Sequence, residues 1–252
     1  MATTTVGMPD PAPEPEQPVN HFGRIIGVFF SPKSTFEHIA RKPSWVVPVI
    51  LSTIVTLLTF AVMNQKVDWR DVTAKKIEEN PRAANLSAEQ KQQQIEMGAK
   101  ITPYILYVTG LVIPTLFVVV VGAVMLGAFN LLGGANTNFG TAMGIVAHAN
   151  LVLILSSLML IIILFLKPPG TLDVENPVAT NLAAFMPDGT SKWLLALGKN
   201  VDIFVFWILI LIGVGFAATN RRKLSVGGSI GIAFSVWLVY VVCRVGLAFI
   251  FS

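Results

Sequence analysis

Long runs of apolar residues, parted by charged patches, dominate this sequence. No Asp, Glu, Lys or Arg interrupts the 23 residues between Lys42 and Lys66, the 66 between Lys100 and Lys167, the 18 between Asp202 and Arg221, or the 20 between Lys223 and Arg244. A helix rises about 1.5 Å per residue, so about 20 apolar residues cross a hydrocarbon core about 30 Å thick. The run of 66 is too long for one crossing. It contains a cluster of turn formers from Leu132 to Gly140, Leu-Leu-Gly-Gly-Ala-Asn-Thr-Asn-Phe-Gly from Leu131 on. The pattern predicts five spans, over residues 45–64, 104–131, 141–166, 203–220 and 227–250. Barrel strands would alternate over short segments instead, and in lipid only helices satisfy every backbone group across runs this apolar.

Before the first span, Phe22, Ile25, Ile26 and Phe29 fall on one helical face. Ser31-Pro32 then offers an N-cap and a first helical residue, Phe36, Ile39 and Ala40 continue an apolar face, and Arg41-Lys42-Pro43 ends it. Residues 22–41 read as two short helices that either lie on the membrane surface or pack under the bundle as plain structure. Residues 1–21 hold five prolines, at 9, 11, 13, 15 and 18, and few apolar side chains, which predicts a disordered tail. That stretch has no basic start followed by an apolar core, so it is not expected to be a signal peptide.

Composition narrows the class. The 252 residues are 54% hydrophobic and 13% charged, against about 25% charged in a soluble domain. Mean hydropathy is +0.69. Cys243 is the single cysteine and has no internal disulfide partner. The expected fold is all-α: a polytopic transmembrane helical bundle with five spans and short N-terminal interfacial helices.

Short motifs recur in a definite order: Phe29-Phe30-Ser31-Pro32 with Phe36 and Ile39, then Pro43-Ser44-Trp45 and Pro48. Gly140-Thr-Ala-Met-Gly144 precedes Val146-Ala-His-Ala149, and Asp202-Ile-Phe204 precedes Trp207, Gly213 and Gly215. In this order and spacing the chain resembles the YIP1 family, in particular its short bacterial-type members, over roughly residues 22–250. The resemblance implies an integral membrane protein of the cytoplasmic membrane, and five spans agrees with it. Eukaryotic relatives act in vesicle traffic and bind prenylated Rab-type GTPases. This chain lacks their long cytosolic N-terminal region, so GTPase binding is not carried over.

Basic residues favour the cytoplasmic side. With the N-terminus inside, the inner segments hold seven, at Arg24, Lys33, Arg41, Lys42, Arg221, Arg222 and Lys223, and the outer ones hold ten. The raw count opposes that orientation. The outer loops are long, however, whereas Arg41-Lys42 and Arg221-Arg222-Lys223 abut membrane ends. With the resemblance, this selects N-terminus inside and C-terminus outside. Residues 65–100 mix seven basic with six acidic residues, and Ser87-Ala-Glu-Gln90 has the form of a capping box. A helix from about 88 is expected to run into the second span, bent at Pro103 and Pro114. This loop reads as a solvated charged face rather than a partner-binding hairpin. Trp193, Leu194, Leu195 and Leu197 suggest a short anchoring helix before the fourth span.

Few polar groups lie at membrane depth. Counted along antiparallel spans, Asp202 and Arg244 match in depth, so they are expected to pair, unless Arg244 snorkels outward. Asn130 and His148 are expected in a polar layer near the inner side, and together with Asn150 they would line any polar cavity. Ala123 and Gly127, Gly140 and Gly144, and Gly227 and Gly231 have the small-xxx-small spacing that lets helices approach, within the chain or between copies. No catalytic, cofactor or metal site is expected. Zinc needs three or four clustered ligands. Cys243 and His148 lie at different depths. The Gly227-Gly228-Ser229-Ile230-Gly231 string opens a membrane helix rather than following a strand as a hydrolase elbow does. No basic patch interleaved with aromatics suggests nucleic acid. The expected partners are the lipid bilayer and a second copy or another membrane protein. The expected role is non-enzymatic, in membrane organisation or a trafficking-like process through protein or lipid contacts. The alternative is a small-solute or ion transporter or channel subunit with a polar cavity near His148.

Overall fold

The computed structural model describes residues 20–168, 170–187 and 189–250. The predicted proline-rich tail lies outside these up to residue 19. Its last two positions are ordered: the Asn20 side chain accepts the Gly23 N–H at 2.8 Å, and His21 starts the first helix. The described chain is helical, with no strand beyond an isolated bridge between Asn181 and Asp202.

Helices α1 (His21–Phe30) and α2 (Pro32–Arg41) form a hairpin. Phe36 and Ile39 of α2 are fully buried, with α2 packed against α6 (Phe139–Ala149) and α9 (Ile203–Thr219). Of the two readings of this segment, α2 takes the packed one. α1 is apolar on two sides. Val28 is buried and Phe29 meets Trp207 of α9 edge-on at 6.0 Å, while Phe22, Ile26 and Phe30 point outward.

α3 (Val46–Lys66) leads to α4 (Trp69–Glu78), which lies along the first turns of α5 (Ala88–Gly133). The Ser87–Gln90 capping box forms, with Ser87 Oγ accepting the Gln90 N–H at 3.2 Å and Gln90 Oε1 accepting the Ser87 N–H at 2.9 Å. α5 continues through Pro103 and Pro114 for 46 residues. It stops at Gly134, whose φ of 59° a side chain would disfavour. The Phe129 carbonyl accepts the Ala135 N–H at 3.0 Å across this turn.

The stretch predicted as one span over 141–166 is two helices, α6 and α7 (Leu153–Leu166), joined by a 3₁₀ turn at Asn150–Val152. Beyond it, α8 (Lys192–Asn200) packs on α10 (Val226–Ile250) and on the 3₁₀ turn Leu182–Phe185. This is the short helix that Trp193 signalled. The centre of the bundle is built from α2, α5, α6 and α9, with Phe129 and Phe216 stacked at 4.0 Å. Large apolar side chains such as Leu58, Val108, Leu111, Ile162, Phe165, Val239 and Leu247 face outward. A water-facing surface rarely tolerates so continuous an apolar belt.

Contacts between loops define two ends of the bundle. At one, here the near end, Asn220 Nδ2 donates to the Gly134 carbonyl at 3.3 Å, and Arg221 pairs with Glu37 of α2. At the far end the Lys66 ammonium sits 4.5 Å from the centre of the Phe165 ring, and Thr180 donates to Asp202 at 2.6 Å. α3, α5, α6–α7, α9 and α10 run alternately between these ends. Four stretches are long and apolar enough to cross a membrane: Val46–Lys66, Ala88–Gly133, Phe139–Leu166 and Val226–Ile250. The stretch predicted as a fourth span, 203–220, holds α9, an apolar helix of 17 residues that is shorter than these four.

Candidate functional site

A cavity of about 250 Å³ lies between α3, α5 and the α6–α7 break. It extends from Val49 to Phe60 along α3, from Thr109 to Val118 along α5, and from Ala147 to Ser157 along the third apolar stretch. Three sequence features create it. Asn150 is buried, and its Nδ2 donates to the Val146 carbonyl at 2.9 Å, one turn back. An amide bonded this way competes with the helical ladder, and the chain leaves the α-helix at that residue. Pro114 has no N–H, so the Gly110 carbonyl lacks its usual helical donor beside the cavity. Gly110 also lets α3 approach, since a Cβ there would stand 3.0 Å from the Phe60 ring.

The walls are mostly aliphatic and aromatic, with Ser52, Thr56, Thr109, Asn150 and Ser157 among them, and no charged side chain lines them. The hydroxyls of Thr56 and Thr109 are occupied by their own helices, donating at 2.8 Å to the Ser52 and Ile105 carbonyls. Asn150 Oδ1 is different: it is buried with no partner among the described residues. The amide orientation follows from the bond it makes, because only the NH₂ end can face the Val146 carbonyl. Ile113, Phe117 and Leu153, partly exposed, bound the cavity on the outer side of the helix layer.

Of the polar residues singled out from sequence at membrane depth, only Asn150 lines this cavity, together with the predicted bend residue Pro114. The expected polar layer does not form. His148 is enclosed in the core, its Nδ1 at 2.8 Å from the Gly144 carbonyl of its own helix. Asn130 instead closes the α5–α6 turn: its Oδ1 accepts the Thr137 N–H at 3.0 Å and its Nδ2 donates to the Thr137 carbonyl at 3.1 Å. A polar cavity near His148, on which the transporter alternative rested, is therefore not what the helices enclose.

The expected Asp202–Arg244 pair is also absent. Asp202 caps α9, its Oδ1 accepting the Phe204 N–H at 2.8 Å and the Val205 N–H at 3.3 Å, and its Oδ2 accepts from Thr180. Arg244 is exposed and donates to the Tyr240 hydroxyl at 2.9 Å. Matched depth did not bring the two to facing sides of their helices.

The small residues divide. Gly144 packs closely, with a Cβ there 3.3 Å from Ile39 and 3.4 Å from the Ser44 carbonyl oxygen, whereas Gly140 touches only its own cap, Asn138. Gly127, Gly227 and Gly231 have nothing within 4 Å, and Ala123 is exposed. The tight crossing of α9 and α10 uses Gly213, where a Cβ would stand 2.6 Å from the Ile230 Cα, and Gly215 backs onto Ile145 and Phe36. Ser229 is buried in the first turns of α10, and Cys243 is exposed on the same helix, away from enclosed His148. Among the described residues no group of three or more His, Cys, Asp or Glu is placed to hold a metal ion.

From sequence, Arg24 counted only as one of the inner basic residues. Its Nη1 donates to the Lys42 carbonyl at 2.9 Å and to Ser44 Oγ at 3.0 Å, and its Nη2 to the His38 carbonyl at 3.1 Å. These carbonyls lie at the last turn of α2, where the helix dipole favours a cation, and the His38 carbonyl accepts the Lys42 N–H at 3.0 Å as well. Burial lowers the guanidinium pKa from its ordinary value. The signal was an arginine embedded in the apolar string Phe22-Gly-Arg-Ile-Ile-Gly-Val-Phe-Phe30.

Long apolar helices, an outward apolar belt and a cavity inside the helix layer define a helical membrane protein. The Yip1 domain family model matches residues 26–247, nearly the whole described chain, and the chain belongs to the Yip1 family. No curated protein and no solved structure gives a significant match.

Proposed function

We propose that this Yip1-family protein crosses the bilayer five times, with the near end cytoplasmic and the C-terminus outside. In this reading it acts without catalysis, organising a bacterial cytoplasmic membrane through lipid and protein contacts. The observation that carries the reading is the shared near end, where Glu37, Gly134 and Asn220–Arg221 meet. Elements that alternate between that end and the Lys66–Phe165 end need an odd number of crossings to reach residue 250. α9 joins the two ends with 17 residues, about 26 Å of helix and within the range that spans a bilayer. Lys33, Arg41, Lys42, Arg221, Arg222 and Lys223 all lie in near-end segments in which Glu37 is the one carboxylate among the described residues. The outward Phe22, Ile26 and Phe30 give α1 a face suited to the boundary between headgroups and acyl chains.

Reporter fusions at each terminus test the topology. An N-terminal reporter active only inside and a C-terminal one active only outside is the expected pattern, and both on one side refutes it. A fluorophore on Phe22→Cys, quenched by brominated acyl chains but not by an aqueous quencher, is expected for a boundary α1. The role itself is tested by copurification of identified membrane proteins and lipids in mild detergent. A set that shrinks on Phe22→Ser/Phe30→Ser substitution supports it, and an unchanged set counts against it.

A further inference from the structure

We propose that the cavity between α3, α5 and α7 binds an uncharged single-chain lipid carrying a hydroxyl donor, of the long-chain alcohol or monoacylglycerol type. The proposal needs only that these helices lie in lipid. It does not depend on the number of crossings or on the orientation.

Ligand chemistry follows from the lining. A buried amide oxygen without a partner is costly, and Asn150 Oδ1 is such an atom. Pro114, which lines the same cavity, has no N–H to offer the Gly110 carbonyl one turn back. Asn150 Oδ1 asks for a donor, and a ligand hydroxyl supplies one. No charged side chain lines the walls, so nothing there compensates an ion, an ammonium group or a phosphate headgroup. Apart from the hydroxyls of Ser52, Thr56, Thr109 and Ser157, the remaining surface is hydrocarbon-like, with Val49, Val55, Phe60, Ile113, Phe117 and Ile154.

Size and access agree. A volume of about 250 Å³ exceeds the roughly 150 Å³ apolar cavity that accepts benzene in an engineered protein. On α3 the cavity runs from Val49 to Phe60, about 16 Å of helix, a length suited to one extended hydrocarbon chain. The partly exposed Ile113, Phe117 and Leu153 open it sideways, so a lipid enters without leaving the bilayer.

The full chain in phosphatidylcholine nanodiscs is photolabelled with a diazirine-bearing sixteen-carbon alcohol, and in parallel with the methyl ether of that alcohol. Labelling by the alcohol is expected at Ile113–Val118 and Leu153–Ser157, suppressed by 1-monooleoylglycerol but not by the phosphate monoester of the alcohol. The ether, which has no donor, is expected to label these segments about 5- to 100-fold less. Asn150→Leu brings alcohol labelling down to the ether level, and Ser157→Phe, which fills the cavity, lowers labelling by both probes. The wild-type ratio of alcohol to ether stands even where a variant does not fold. Equal labelling by alcohol and ether overturns the proposal. So does labelling spread evenly over the outer faces of α5 and α10, or equal competition by the phosphate ester.

Discussion

Arg24→Met tests whether one side chain fastens the N-terminal hairpin to the bundle. Methionine keeps much of the length and apolar stem of arginine but donates no hydrogen bond. The substitution removes three bonds of 2.9–3.1 Å to the His38 and Lys42 carbonyls and Ser44 Oγ, while the His38 carbonyl keeps the Lys42 N–H at 3.0 Å. Hydrogen bonds from a charged donor contribute about 1.5–3 kcal/mol each. Relief of the buried guanidinium offsets part of that, leaving a net loss of about 2–4 kcal/mol. The loss falls on docking of α1–α2 rather than on the spans. Trypsin cleavage at Lys33 and Arg41 in detergent reads local opening directly. Where opening and closing outpace cleavage, the rate is expected to rise about 30- to 900-fold. Arg24→Lys, whose point charge reaches fewer of the three acceptors, is expected to fall between. A rate for Arg24→Met within threefold of wild type would refute the clamp.

Other substitutions test packing and capping. Gly213→Ala places a methyl 2.6 Å from the Ile230 Cα and is expected to lower thermal stability in detergent by about 1–3 kcal/mol. Gly231→Ala, with nothing within 4 Å, is expected to be neutral or mildly stabilising. Asp202→Ala loses the α9 cap, for about 0.5–2 kcal/mol, while Arg244→Ala changes little. Their double substitution is expected to be additive within about 0.5 kcal/mol, and a larger coupling would restore the ion pair. Asn130→Ala is expected to speed hydrogen exchange at the Thr137 amide, which now donates to Asn130, without unfolding α5.

Apolar runs mark where helices lie, because burial in lipid is a property of each residue in turn. Caps are equally local, and Ser87–Gln90 forms as its spacing implies. Relations between helices are not local. Counting residues gave Asp202 and Arg244 a common height but could not give the rotation of α9 and α10, which turns them to different neighbours. Spacing showed a stripe of small residues at Gly227 and Gly231 but not whether it faces protein or the outside. The α6–α7 break was hidden because an asparagine in an apolar run reads alike whether or not its amide bonds back to Val146. The cavity needed that break and Pro114 of a different helix side by side, a conjunction that no stretch of sequence displays.

The 46 residues of α5 amount to about 69 Å of continuous rod, more than twice the thickness of a hydrocarbon core. α4 is strapped along the protruding portion, stiffening it as a splint does. Further along the same rod, Thr109 to Val118 form one side of the Asn150 chamber. One helix thus carries both the turns on which α4 rests and, beyond Pro103, a wall of that chamber.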